Sequence, residues 1–153
     1  MGWQTKDEGG SKKGIDTENK PEDKQLAGRI LVAEDNEINR EIISRLLGSI
    51  GFEVDMAVNG REAVNKFGDE PAGTYVAILM DVMMPIMDGY EATKRIRGLM
   101  HPDSEKIPIV ALTASAFKEA EEKGYKAGMT DYLTKPIRVA VLKETLQKII
   151  DEK

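Results

Sequence analysis

The stretch YVAILMDVMMPIMDG, residues 75–89, decides how this chain folds. Tyr75 to Met80 is a short continuous apolar run, as expected of a strand buried on both faces of a parallel sheet. The run ends on a carboxylate, Asp81. Asp88-Gly89 then opens a segment of helical period, with Ala92, Ile96 and Leu99 on one face. Strand, acid, loop and helix follow one another in that order.

The same unit recurs on either side. Upstream, Ile30-Leu31-Val32-Ala33 and Val54-Asp55-Met56-Ala57 read as strands. The first is followed by a helix with Ile38, Ile42, Leu46, Leu47 and Ile50 on one face and Gly51 as its stop signal. The second is followed, after Asn59-Gly60, by a helix using Ala63, Val64 and Phe67. Downstream, Ile109-Val110-Ala111-Leu112 precedes a helix using Phe117, Ala120 and Gly124 that ends near Gly128. Asp131-Tyr132-Leu133 precedes a helix beginning after Pro136 and using Val139, Leu142, Leu146 and Ile149. Five strands each followed by a helix predict an α/β fold of the (βα)5 type. Right-handed crossovers place helices on both faces of a doubly wound parallel sheet. The common strand order is 2-1-3-4-5, with ligands at the carboxyl ends of the strands.

Composition excludes several classes. The chain has 153 residues, no cysteine, one histidine (His101) and a formal net charge of -5. Disulfides, thiol catalysis, cysteine-ligated zinc and a histidine-rich metal site are excluded. No basic stripe suggests nucleic acid. No apolar run approaches the ~20 residues of a membrane helix, and the N-terminus lacks a secretory apolar region. The expected setting is cytoplasmic, alone or within a larger, membrane-anchored protein, without direct membrane contact. Residues 1–28, rich in Lys, Asp, Glu and Gly, read as a flexible linker or disordered arm, with Trp3 unpacked. Residues 29–153 read as the domain. His101 reads as an ordinary surface residue, and Met80, Met83, Met84 and Met87 read as packing.

Polar residues stand where the strands end. Glu34 and Asp35 follow the first, Asp81 ends the third, Thr113 ends the fourth and Lys135 follows the fifth. The order 2-1-3-4-5 brings these groups to one rim. Carboxylates in contact repel each other, and a hard divalent cation relieves that repulsion. Mg²⁺ suits one or two carboxylates plus phosphate oxygens. Lys135 would act as a point charge on a phosphate oxygen, and Thr113 would donate a hydrogen bond to another. Asp81 is the carboxylate placed to form an acyl phosphate.

Four blocks carry a resemblance: VAEDN at 32–36, MDVMMPIMDG at 80–89, ALTA at 111–114 and DYLTKP at 131–136. In this order and spacing they resemble the signature blocks of response regulator receiver domains, and are most similar to the C-terminal receivers of hybrid sensor histidine kinases. The resemblance implies a flavodoxin-like fold and a phosphorelay function, with Asp81 as phosphoacceptor. It implies Mg²⁺ held by Glu34, Asp35, Asp81 and the main-chain carbonyl of Met83, and a phosphoryl group bound by Thr113 and Lys135. Thr113 and Tyr132 would form a conformational switch, and the bond before Pro136 would be cis. The implied donor is a histidine kinase core or a histidine phosphotransfer domain, and a phosphorylation-dependent dimer is a further implied partner.

Two departures stand out. Glu34 occupies a position where many receivers have Asp. Met83 is apolar where some receivers are polar, and together with the small Ser115 it would tune the lifetime of the acyl phosphate. Three alternatives compete with the hybrid-kinase receiver. One is a single-domain response regulator. Another is an aspartate-nucleophile phosphatase, which wants a second Asp where Met83 stands. The last is a docking-only pseudo-receiver, against which the acidic pair, Thr113 and Lys135 argue. The domain would catalyse its own phosphorylation and dephosphorylation and would not be a turnover enzyme by itself.

Overall fold

The computed structural model describes residues 26–115 and 117–151. The expectations for residues 1–25, including Trp3, lie outside the described residues. Five parallel strands run β1 Gly28–Ala33, β2 Phe52–Ala57, β3 Ala77–Asp81, β4 Ile109–Thr113 and β5 Asp131–Thr134. The helices are α1 Glu37–Ile50, α2 Gly60–Asp69, α3 Gly89–Arg97, α4 Lys118–Ala127 and α5 Val139–Asp151. The sheet order is β2-β1-β3-β4-β5, the expected doubly wound arrangement.

Register explains why the central strands are apolar throughout. Leu31 pairs with Ile78, Ile78 with Ile109, and Leu112 with Leu133. Side chains alternate between two cores. Leu31, Ala33, Ile78, Met80, Ile109 and Ala111 face one, which Phe67 of α2 and Ile96 of α3 close. Ile30, Val32, Ala77, Leu79, Val110 and Leu112 face the other, which Leu47 of α1 and Leu142 and Leu146 of α5 close. Each fully buried aliphatic side chain contributes about 1.5–3 kcal/mol relative to exposure.

Local signals set the helix starts. Asn36, Asn59 and Asp88 accept hydrogen bonds from the N–H groups of Asn39, Glu62 and Glu91 at 2.9, 2.8 and 2.8 Å. Each cap satisfies a donor that the first turn would leave unpaired. Gly128 ends α4 in the left-handed region, with φ 111°, and its carbonyl accepts from Arg97 Nε and Nη2 at 2.9 and 2.8 Å.

Several sequence expectations need correction. The first strand starts at Gly28, and Leu26 before it is buried. The third strand starts at Ala77, two residues later than expected. In α1 the buried stripe is Ile43 and Leu47, whereas Ile38 and Ile42 are 68% and 49% exposed. At about 100° per residue they lie too far round the helix to share that stripe. Phe117, the N-cap of α4, and Val139, the first residue of α5, are also exposed. Met83 points to solvent, unlike the buried Met80 and Met84. His101 is partly buried and engaged: its ring lies 4.5 Å from that of Phe67, Nε2 meets the Glu70 carbonyl at 2.7 Å, and Nδ1 faces the Asp103 N–H at 3.1 Å.

Candidate functional site

The carboxyl ends of β1, β3, β4 and β5 deliver the polar residues to one rim. Glu34 follows β1 and is 1% exposed; Asp81 ends β3 and is 4% exposed. Lys135 follows β5 and reaches between them. Its Nζ lies 3.0 Å from Glu34 Oε1 and 3.1 Å from Asp81 Oδ2. The remaining carboxylate oxygens are also engaged. Glu34 Oε2 accepts from the Asn36 N–H at 3.1 Å, and Asp81 Oδ1 accepts from the Met83 N–H at 3.3 Å. Arg40 of α1 donates to the Glu34 carbonyl at 3.0 Å and ties the β1–α1 loop to its helix.

One ammonium shared by two buried carboxylates leaves the pair unevenly charged. Burial first, and then repulsion from Glu34, push the Asp81 carboxyl up to about 6 despite Lys135 and the Met83 N–H. Burial also works against the Glu34 anion. There the hydrogen bonds from Lys135 and Asn36 outweigh it, and Glu34 sits below the ordinary range. For Lys135 burial favours the neutral amine, but the two carboxylates win and hold it above its ordinary value.

Glu34, Asp35 and Asp81 each bring a carboxylate oxygen within 4.8 Å of the others, with Asp35 on the exposed side. Such an all-oxygen donor set fits a hard divalent cation of the Mg²⁺ type.

Thr113 is buried at the end of β4. Its hydroxyl donates to the Ser115 carbonyl at 3.2 Å and accepts from the Ser115 N–H at 3.1 Å, so it is turned into its own loop. The Lys135 N–H donates to the Thr113 carbonyl at 2.8 Å, locking the β5 end to the β4 end. The Lys135–Pro136 bond is cis. Tyr132, on β5, lines a small cavity with Thr113, Ala111, Tyr90 and Glu121. A hydrogen bond to Glu121 raises its phenol above the ordinary value.

Some contributors had weak signals in the sequence. Asn36 stood in the VAEDN block, but its capping of α1 and its N–H to Glu34 emerge only from the structure. Gly89 is needed because a Cβ there would stand 2.3 Å from the Asp81 carbonyl oxygen. Arg40 and Glu121 had no signal, since their partners lie on other elements.

The family model of the response regulator receiver domain matches residues 30–147. The chain belongs to that family. This receiver is 39% identical over 125 residues to hybrid signal transduction histidine kinase L of Dictyostelium discoideum, covering 81% of this chain but 7% of that protein. It therefore spans only a small part of that relative's length. Among solved structures it is similar to the receiver domain of a sensor histidine kinase from Pseudomonas aeruginosa PAO1, crystallised with a magnesium ion in its active-site cleft. Identity there is 39%, the TM-score is 0.73, and coverage is 82% of this chain and 99% of that one. A second neighbour is a Saccharomyces cerevisiae response regulator receiver, co-crystallised with a histidine phosphotransfer signaling protein. It shows 33% identity and a TM-score of 0.70, with 80% and 88% coverage. The receiver is thus a phosphorelay signalling domain homologous to those of hybrid kinases. Among the described residues no helix is long and apolar enough to cross a membrane.

Proposed function

We propose that this receiver accepts a phosphoryl group from a partner's phosphohistidine onto Asp81, with Mg²⁺ held by Glu34, Asp35, Asp81 and the Met83 carbonyl. The observation that carries this reading is the Lys135 ammonium bridging Glu34 and Asp81 beside a three-carboxylate cluster. An oxygen of Asp81 attacks phosphorus, the P–N bond to the donor imidazole breaks, and the imidazole nitrogen keeps the electron pair and takes up a proton. Bound Mg²⁺ supplies neutralisation of the charge spread over the phosphoryl oxygens. Lys135 holds one of those oxygens, as a point charge that follows the negative charge from carboxylate to phosphate. The Thr113 hydroxyl turns from Ser115 to a second. Movement of Thr113 vacates space beside Tyr132, and the face made by α4, β5 and α5 changes. Water later attacks the acyl phosphate, releasing inorganic phosphate and restoring the carboxylate.

The donor in this reading is a histidine kinase core or a histidine phosphotransfer domain, as in the yeast complex. The parent protein is a hybrid histidine kinase, as its relatives' names suggest. Labelling by acetyl phosphate with Mg²⁺, wild type against Asp81→Asn, tests the assignment. Label is expected on the wild type alone, and a mutant labelled as well as wild type removes Asp81 from its role.

A further inference from the structure

Asp35 is the exposed member of the carboxylate cluster, and among the described residues no hydrogen bond reaches its carboxylate. Glu34 beside it is fixed at every polar group. Its N–H donates to the Ala57 carbonyl at 3.0 Å. Its carboxylate oxygens meet Lys135 Nζ and the Asn36 N–H at 3.0 and 3.1 Å. Its carbonyl accepts from Arg40 Nη1 at 3.0 Å. The placement of Asp35 therefore comes through its backbone. Arg40 acts on that backbone from both sides. Its own N–H donates to the Asn36 carbonyl at 2.9 Å, while its guanidinium holds the Glu34 carbonyl. Asp35 stands between those two carbonyls. A peptide unit is planar, so fixing the Glu34 carbonyl also fixes the Asp35 nitrogen and the direction in which the chain enters Asp35.

Helix formation does not explain this arginine. Arg40 lies in the first turn of α1, where the macrodipole disfavours a cation. Arg45 and Arg95 pair with glutamates one turn away, Glu41 and Glu91, at 3.1 and 3.0 Å. Glu37 stands one turn before Arg40, yet among the described residues Arg40 forms no ion pair. Its guanidinium is directed instead at a carbonyl of the rim. A hydrogen bond from a charged donor is stronger than a neutral one, which suits a contact that must hold a loop in place.

We propose that Arg40 is a positioning residue for the divalent cation, placing the Asp35 carboxylate by gripping the carbonyls on either side of it. This rests on the phosphoacceptor reading above, in which Asp35 is one of the groups that hold Mg²⁺. Groups that orient a metal ligand set affinity without touching the metal. Here the oriented part is the main chain, because the ligand side chain itself faces solvent. Charge and position make opposite demands at this spot. A guanidinium beside a cation site repels the cation, so its presence there is useful only if what it positions outweighs what it repels.

The test uses the full chain, with Mg²⁺ and Ca²⁺ titrated by calorimetry into wild type, Arg40→Met and Arg40→Lys. Charge alone predicts tighter binding in Arg40→Met, because repulsion is relieved. Loss of positioning predicts weaker binding. The loss is larger for Mg²⁺, which demands near-ideal octahedral geometry, than for Ca²⁺, which accepts a flexible one. Arg40→Met is expected to weaken Mg²⁺ about tenfold or more and Ca²⁺ about threefold or less, as when a group orienting a metal ligand is lost. Arg40→Lys keeps the charge and a donor on a shorter stem, and is expected to recover part of the Mg²⁺ affinity. Acetyl phosphate labelling of Arg40→Met should be slow at limiting Mg²⁺ and approach wild type at saturating Mg²⁺. Mg²⁺ affinity in Arg40→Met equal to or tighter than wild type overturns the proposal, and so does an equal loss for both ions. A lowered urea midpoint with unchanged Mg²⁺ affinity also overturns it, assigning Arg40 to stability alone. Arg40→Gln, neutral and shorter, takes the place of a methionine variant that does not fold. All these outcomes leave Asp81 as acceptor. A wild type that is labelled by acetyl phosphate yet binds neither ion removes the cation from that reading and this proposal with it. A wild type that binds Mg²⁺ but takes no label fails the acceptor reading, and the Mg²⁺ comparison still decides Arg40.

Discussion

Lys135 Nζ lies 3.1 Å from Asp81 Oδ2 while also holding Glu34 Oε1 at 3.0 Å. The lysine comes from the loop after the last strand and the aspartate from the middle of the sheet. One cation therefore serves two buried anions. Replacing it with methionine leaves both carboxylates without a counter-charge. Lys135→Met is expected to destabilise the metal-free domain by about 1–3 kcal/mol, less than for a fully buried pair because Lys135 is partly exposed. Phosphorylation of Asp81 should slow at least tenfold, as expected when a phosphate-binding cation is lost. Urea unfolding and acetyl phosphate labelling measure the two effects, and wild-type rates in the variant would contradict the assigned role.

The pH dependence of metal-free stability has a definite sign. Asp81 titrates at about 6 in the folded chain against an ordinary 3.8. Folding therefore favours its protonated form. The associated stability is fully present below the unfolded value and is lost as pH rises through about 6. The loss is up to about 3 kcal/mol, reduced by Glu34, whose lowered value contributes in the opposite sense. In EDTA, Asp81→Asn should be more stable than wild type at pH 8, and the gap should narrow at pH 5. Equal urea midpoints at pH 8 would show that the buried pair is not under repulsion.

Divalent cation should reverse that penalty. Mg²⁺ at about one hundred times its dissociation constant is expected to stabilise the wild type by about 2.7 kcal/mol. Asp35→Asn and Asp81→Asn should each lose most of this gain. Thermal melts with and without the cation read it directly, and an undiminished shift in both variants would place the cation elsewhere.

Gly89 opens α3 directly behind the acceptor. A Cβ there would stand 2.3 Å from the Asp81 carbonyl oxygen and 2.9 Å from the Val82 Cα, both backbone atoms without freedom to yield. Gly89→Ala is expected to cost about 2 kcal/mol or more through overpacking, and to slow labelling by displacing Asp81. Gly48→Ala is the control, since nothing lies within 4 Å of its added Cβ. Its helical position predicts a small gain in stability instead.

The acyl phosphate lifetime is set, in the reading proposed here, by Met83 and Ser115. Met83 donates its N–H to Asp81 while its side chain is exposed, so shielding depends on that side chain folding over the phosphate. Met83→Asn should shorten the phosphoryl half-life by offering water an orienting amide. A half-life equal to wild type in a pulse-chase would assign the lifetime to other groups.

The sequence by itself determined the sheet and the chemical identity of the rim. Strands such as Ile78-Leu79-Met80 are apolar on both faces, and that pattern has one stable use: burial between two helical layers. Glu34, Asp35, Asp81, Thr113 and Lys135 were legible because each stands immediately beyond such a run, and strand ends are fixed by where the run stops. The α1 face was misread because Ile38, Ile42 and Ile43 are chemically alike. Only the packing of α1 onto the core that also holds Val32 and Leu79 selects Ile43 and leaves the other two outside.

Tertiary structure decided how the rim groups share charge. That Lys135 serves both carboxylates, and that Asp81 and Glu34 shift in opposite directions, depend on burial and on distances between residues as far apart in sequence as Glu34 and Lys135. It also decided that Ile86 is strained. The residues around it permit many turns, and its φ of 70° belongs to a loop that the Gly60 and Gly89 N–H groups anchor at the Met87 and Val82 carbonyls. Sequence pattern reports burial, because burial is averaged over whole elements. Charge sharing and strain depend on single contacts, and those form only when the elements meet.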